Sequence, residues 1–137
     1  MKRRLLLLIV TIIVASSAIY LRYVFKAEAM KKREVAYQAD LQTYSRNLNP
    51  GLTRKDVESY LRARNIGFRQ MCCVLERSAF ADLVKIGQED APWFCSEEYV
   101  YIAFEFTATE AHSLRRPIYD SDVLETVRIY RQPGGCL

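Results

Sequence analysis

The sequence predicts an α+β fold: an N-terminal transmembrane helix, then two helices packed on one face of a three- to four-stranded antiparallel sheet. Three observations lead to this prediction. An uncharged apolar segment runs from Leu5 to Leu21, a helix-forming stretch runs from Lys26 to Leu48, and runs with strand character follow Phe68. Helices that precede a group of strands are typical of a sheet covered by helices on one face.

The apolar segment has the length and the flanking residues of a membrane anchor. It holds 17 uncharged residues, LLLLIVTIIVASSAIYL, directly after the basic residues Lys2–Arg4. At about 1.5 Å of rise per residue it approaches the roughly 30 Å of a bilayer's hydrocarbon core. Tyr20, Tyr23 and Phe25 would add an aromatic belt at the interface. We therefore expect a transmembrane signal-anchor over residues 1–25, which makes membrane lipid the first predicted partner.

Cleavage and orientation each leave an alternative. Ser16, Ser17 and Ala18 would fit the small-residue site of a signal peptide, but apolar and aromatic residues follow them instead of polar ones. The Lys and Arg residues on both sides of the segment slightly oppose export of the domain. The compact basic start and the four cysteines favour an oxidising compartment. We expect an uncleaved, single-pass anchor with an extracytoplasmic, periplasmic domain.

The charge is unevenly distributed along the chain. The net charge is +4, yet eight basic and two acidic residues precede Tyr37, so the first 36 residues carry +6 and the remainder −2. A nucleic-acid-binding domain needs basic residues on its folded surface. Here the basic residues flank the apolar segment, where they suit anionic lipid headgroups. The sequence therefore argues against a nucleic-acid partner.

Residues 26–48 are predicted to form a juxtamembrane or stalk helix. Apolar residues recur there at helical spacing and form one stripe: Met30, Tyr37, Leu41, Tyr44 and Leu48. Ala27, Glu34 and Leu41 also lie a heptad apart, so a weak homodimer through the stalk helix is one interpretation. Glu34 in that seam favours the other, in which the end of the helix packs on its own domain.

Residues 49–137 are predicted to form the small α+β domain. Asn49, Pro50 and Gly51 turn the chain. Thr53 is placed to cap a short helix, and Asp56 to complete a capping box. The inner face of that helix consists of three residues: Val57, Tyr60 and Leu61. Asn65 and Gly67 are expected to end the helix in left-handed conformations.

Strands are predicted over residues 68–76, 82–86, 99–106 and 123–130. The third alternates in polarity, so its side chains divide between two faces. One face receives Val100, Ile102, Phe104 and Phe106; the other receives Tyr99, Tyr101, Ala103 and Glu105. We expect Val57, Leu61, Ile102 and Phe104 to form one core, and the face of Tyr101 to be open to solvent.

The segment Asn49–Leu61, NPGLTRKDVESYL, resembles the motif that opens the small SmpA/OmlA (BamE-type) domain. The resemblance covers about residues 40–131 and implies two helices on a three-stranded antiparallel meander. The best-known members are lipoproteins that help to assemble outer-membrane β-barrels and that contact lipid and partner proteins. This chain has an apolar helix where those members have an acylated cysteine. An uncleaved helix would hold the domain at the inner membrane. The resemblance concerns the fold and assigns no functional residue.

The four cysteines are the candidates for disulfide bonds: Cys72, Cys73, Cys95 and Cys136. Four cysteines allow three connectivities. Because neighbours on a strand point to opposite faces, we expect Cys72 and Cys73 to bond to different partners, with Cys95 and Cys136 in reach. A zinc site with His112 as a further ligand is disfavoured by the absence of a CxxC pair. A reactive thiol at Cys72 or Cys73 stays open as an alternative.

The candidates for partner contact are four aromatic residues: Trp93, Phe94, Tyr99 and Tyr101. Trp93 and Phe94 lie beside Pro92 between two acidic pairs, so they either cover a sheet edge or face a partner. Phosphate-binding, dinucleotide-binding and catalytic-triad motifs are absent from the sequence, and we expect neither a metal nor a cofactor. The sequence thus predicts a non-enzymatic envelope module that binds a protein or lipid partner. The alternative is a thiol-based redox protein that uses Cys72 or Cys73.

Overall fold

A computed structural model describes residues 2–72, 80–91, 94–108 and 118–136, without the side chains of residues 2–8 and of Cys72. The order of elements is α1 (Lys2–Asn47), α2 (Arg54–Ala63), β1 (Arg69–Cys72), β2 (Phe80–Glu89), β3 (Glu97–Thr107) and β4 (Val123–Gly134). The chain divides into two compact units, Met1–Ala36 and Tyr37–Leu137. The predicted α+β class is confirmed.

The number of helices differs from the prediction. Three helices were expected, namely an anchor, a stalk and a short domain helix, whereas the described residues form two. The anchor and the stalk are one continuous helix of 46 residues, α1. The physical reason is that no glycine or proline lies between Leu21 and Lys26, so nothing there interrupts the backbone hydrogen bonds.

Helix α2 begins as the sequence predicts. The Thr53 hydroxyl accepts a hydrogen bond from the Asp56 N–H, and the Asp56 carboxylate accepts one from the Thr53 N–H. This capping box satisfies two of the amide groups that a helix start leaves without partners. The helix ends near Asn65, whose φ of +56° is left-handed, whereas Gly67 has no positive φ, contrary to expectation.

The four strands form one antiparallel sheet in the order β1-β2-β3-β4. Strands β2 and β3 pair Val84 with Ile102, and β3 and β4 pair Ile102 with Ile129. Two irregularities interrupt the register, one between Lys85 and Gly87 and one between Glu105 and Phe106. Within the described residues, each strand therefore pairs only with its neighbours in the sequence, which is a meander.

The main core lies between the helices and one face of the sheet. It contains the four residues that were predicted to form one core, namely Val57, Leu61, Ile102 and Phe104. The other buried members are Leu48, Val84, Phe106 and Leu124. From the predicted stripe of α1, Tyr37 and Leu48 are buried and Leu41 and Tyr44 pack on this core, whereas Met30 is exposed. The end of α1 therefore covers the sheet from Tyr37 onward.

The opposite face of the sheet corrects another expectation. It was predicted to be open to solvent, but Tyr101 is only 4% exposed and Ala103 is fully buried. They belong to a second apolar cluster with Ala81 and Leu83. Met71, Tyr99 and Tyr130 pack against this cluster, and Arg69 Cζ lies 4.5 Å from the centre of the Tyr101 ring, so side chains of neighbouring strands cover this face.

Candidate functional site

The first candidate surface is the apolar part of α1. Its large side chains are exposed in the isolated chain, among them Ile13, Ile19 and Phe25. By length and composition the helix could cross a membrane, and the stretch that meets this criterion is not buried within the molecule. An exposed apolar helix of this length near the N-terminus is typical of a membrane anchor or a signal sequence.

The second candidate is a buried cluster of charges at the start of α2. The Arg54 guanidinium is completely buried. Its Nη1 donates to Asp82 Oδ1 at 2.6 Å, and its Nη2 donates to the Phe80 carbonyl at 2.7 Å. Its Nε lies 3.5 Å from Asp122 Oδ2, and its Cζ lies 4.0 Å from the centre of the Phe106 ring. Arg54 therefore joins α2 to β2, β3 and the turn before β4.

Backbone hydrogen bonds strengthen the same junction. The N–H of Arg54 donates to the Asp122 carbonyl at 2.7 Å, and the N–H of Lys55 donates to the Asp120 carbonyl at 3.2 Å. Asp122 Oδ2 in turn accepts from the Tyr119 N–H at 3.2 Å. The turn at residues 119–122 thus supplies acceptors to the first amide groups of α2. The cluster therefore holds together parts of the domain that are distant in sequence.

Asp82 is the electrostatically unusual member of the cluster. Burial raises the pKa of its carboxyl to about 7, although the positive charge of Arg54 acts in the opposite direction and Glu58 adds to the rise. Its Oδ2 atom is buried and has no hydrogen-bond donor among the described residues. A carboxyl group that is buried away from water holds its proton more tightly, because its charged form loses hydration.

The cluster is suited to a structural role in the domain. Its acids face an arginine, and no group of three or more His, Cys, Asp or Glu side chains suited to a metal occurs in the part of the chain that the structure describes. Sequence reasoning missed it, since Arg54, Asp82 and Asp122 are far apart in the chain. The available signal was the acidic residue at the third position of β2, where Asp82 lies between Ala81 and Leu83.

Cys95 and Cys136 form a disulfide bond. They flank the paired ends of β3 and β4, where Glu97 lies opposite Gly134. The expectation that Cys72 and Cys73 bond to Cys95 and Cys136 is therefore wrong. Pairing of β3 with β4 brings the two flanking cysteines together, a relationship between strands that the spacing of the cysteines did not show. Cys73 and the Cys72 side chain lie outside what the structure describes.

The aromatic contact candidates lie in different environments. Phe94 is 50% exposed, Tyr99 is half-buried, and Tyr101 is buried beneath its neighbours. Lys85 Nζ lies 4.2 Å from the centre of the Tyr99 ring. Trp93 and His112 lie outside the described residues. In this conformation Phe94 offers the largest surface of the three described rings, and Tyr101 offers almost none.

Comparison with known proteins gives no match: no protein-family model, no curated protein and no solved structure matches this chain.

Proposed function

We propose that this protein is a membrane-anchored envelope protein whose α+β domain binds a protein or lipid partner and does not act as an enzyme. The observation that carries the proposal is the exposed apolar stretch of α1, with basic residues before and after it. Residues 1–25 would cross the inner membrane, and the domain would lie in the periplasm. Lys31 and Lys32, which are exposed on α1, would then lie near anionic headgroups.

The proposal includes the resemblance of Asn49–Leu61 to the start of the SmpA/OmlA (BamE-type) domain. The capping box at Thr53 is present, Val57 and Leu61 lie in the core, and antiparallel strands follow the helix. The best-known members of that family contact lipid and partner proteins. Phe94 is the described residue that we propose for contact with an envelope partner, because half of its surface is exposed beside a covalently fixed strand end.

Membrane extraction and a topology reporter test the anchor. The full chain should stay with the membrane under alkaline carbonate washing, and mass spectrometry should recover peptides that join Ser17 to Phe25. The double variant Ile12→Lys and Ile13→Lys should be released, since each charge costs about 2.5–3.5 kcal/mol at the centre of a spanning helix. An enzyme that is active only outside the cytoplasm, fused after Leu137, should be active. Release of the unmodified chain, or an inactive fusion, would contradict the respective part of the proposal.

The second candidate function is thiol-based redox chemistry at Cys72 or Cys73. The bond between Cys95 and Cys136 favours it, because those two sulfurs are not available to Cys72 and Cys73. Alkylation of the native chain, followed by peptide mapping, separates the two functions. Rapid labelling of Cys72 or Cys73 below the usual thiol pKa of about 8.5 would favour a redox role. Labelling only after unfolding or reduction would favour the binding module.

A further inference from the structure

Strand β4 is the long outer strand of the sheet. It holds 12 residues, whereas β1 at the opposite edge holds four. An edge strand presents backbone N–H and C=O groups that can pair with another chain, and proteins usually shorten such strands or place charges across them. The outer edge of β4 is therefore a candidate for pairing with another chain.

The outer edge of β4 already accepts a strand-like segment at its beginning. The N–H of Gly51 donates to the Leu124 carbonyl at 2.8 Å, and the N–H of Leu124 donates to the Leu52 carbonyl at 2.7 Å. Thr53 and Val123 form an antiparallel bridge. Before Gly51 the chain turns away, with the Leu52 N–H donating to the Asn49 carbonyl at 3.4 Å. Beyond Leu124, no segment among the described residues pairs with this edge.

The charges of β4 are directed toward β3. Arg128 Nε donates to Glu105 Oε1 at 2.6 Å, and Arg131 Nη1 lies 3.4 Å from Glu98 Oε2. Because both arginines have carboxylates within the chain, a second strand on the outer side of β4 would not meet two uncompensated cations. Ile129 is half-buried, and its side chain packs against the main core.

We propose that the outer edge of β4 pairs antiparallel with the same edge of a second copy of this chain. With Ile129 opposite Ile129 of the second copy, Arg128 lies opposite Tyr130, Val127 opposite Arg131, and Thr126 opposite Gln132. These pairs combine a cation with an aromatic ring, an apolar side chain with an arginine stem, and two polar groups. A register centred on Arg128 would instead place two guanidinium groups opposite each other, which is unfavourable.

This pairing closes on itself. An antiparallel strand pair has a local two-fold axis perpendicular to the sheet, so both copies use the same surface and no open fibre results. The two four-stranded sheets become one, with the helix-covered faces on the same side. The apolar rim formed by Val127 and Ile129 is then covered by its counterpart, which extends the main core across the interface.

Cross-linking of the full chain in detergent micelles tests the proposal. Ile129→Cys should give several-fold more disulfide-linked dimer on a non-reducing gel than Asp120→Cys, which adds a cysteine at an exposed turn. The double variant Thr126→Cys and Gln132→Cys should also cross-link efficiently, whereas each single variant should not. The unmodified chain should sediment as a dimer.

Three results would overturn the proposal. One is sedimentation of the unmodified chain as a monomer. Another is equal cross-linking of the Ile129→Cys and Asp120→Cys variants. The third is a dimer that cross-links at Ala27→Cys on α1 and not at Ile129→Cys, which would show association through the stalk helix instead.

Discussion

The ring of Tyr37 occupies the space that a side chain at Gly87 would need. A Cβ atom on Gly87 would collide with the Cε1, Cζ and hydroxyl atoms of that ring. The Tyr37 hydroxyl also donates to Glu89 Oε1 at 3.0 Å. Tyr37 is buried, and Gly87 directly follows the irregularity in the pairing of β2 with β3. A glycine and a tyrosine 50 positions apart therefore fix where the last turns of α1 lie on the sheet.

Gly87→Ala should destabilise the domain by about 1–3 kcal/mol, the usual cost of overpacking a well-filled site. Gly67→Ala is the matched control, because nothing lies within 4 Å of its added Cβ and its φ is not positive. It should be neutral or slightly stabilising. The measurement is denaturant unfolding of the chain in micelles, with near-ultraviolet circular dichroism as the signal that monitors unfolding.

A double-mutant cycle identifies the contact. Tyr37→Ala removes the obstructing ring, so adding Gly87→Ala to that variant should cost much less than in the unmodified chain. Equal costs in both backgrounds would contradict the close fit of these two residues.

Phe104→Ala should cost roughly 3–5 kcal/mol, because the ring is fully buried and meets the Tyr44 ring edge-on at 5.5 Å between centroids. Tyr101→Ala should cost a similar amount, since the ring is buried on the other face. Phe94→Ala, at a half-exposed ring, should cost distinctly less. Unfolding of the three variants would rank them, and a small effect at Tyr101 would show that its face is open to solvent after all.

Arg54→Met should destabilise the domain by about 3–5 kcal/mol, because it leaves two buried carboxyl groups without their cation. Arg62→Met on the same helix is the control. Arg62 is largely exposed and pairs with Glu58 at 2.5 Å, so its loss should cost about 1 kcal/mol or less. Adding Asp82→Asn to Arg54→Met should restore part of the stability. A loss at Arg54 no larger than that at Arg62 would contradict the role of the buried cluster.

The raised pKa of Asp82 predicts how stability depends on pH. The folded state holds this proton up to about pH 7, whereas the unfolded chain releases it near the ordinary value of 3.8. The folded state therefore binds more protons in this interval, and the contribution of Asp82 is fully present at low pH and falls as pH rises from about 4 to about 7. Asp82→Asn should remove this slope. An unchanged slope in that variant would assign it to other groups.

Local patterns predicted the parts of the fold that depend on neighbours in the chain. Alternation placed Ile102 and Phe104 on the apolar face of β3, and helical spacing placed Val57 and Leu61 on the apolar face of α2. Their common core therefore followed from amphipathicity alone. The capping box at Thr53 depends on three residues of spacing and was equally accessible. The continuity of α1 was not predicted, because the chain changes from apolar to charged residues near Lys26 and this change does not end a helix.

Relationships between distant residues were not predictable in the same way. Arg54 meets Asp82 and Asp122 only because the sheet register brings β2 and the turn before β4 to the start of α2. The pairing of Cys95 with Cys136 likewise depends on which strand lies beside which. The burial of Tyr101 could not be derived from alternation, because a period of two separates the faces of a strand without stating what covers each one.

The bond between Cys95 and Cys136 also makes a closed covalent ring of the chain between them, with a sequence separation of 41. A protease that cuts one peptide bond within this ring cannot release either piece, since the sulfur bridge still joins the two ends. Such a nick would leave the mass on a non-reducing gel almost unchanged and would give two fragments after reduction. In a compartment rich in proteases, the molecule could thus be cleaved once and yet remain a single particle.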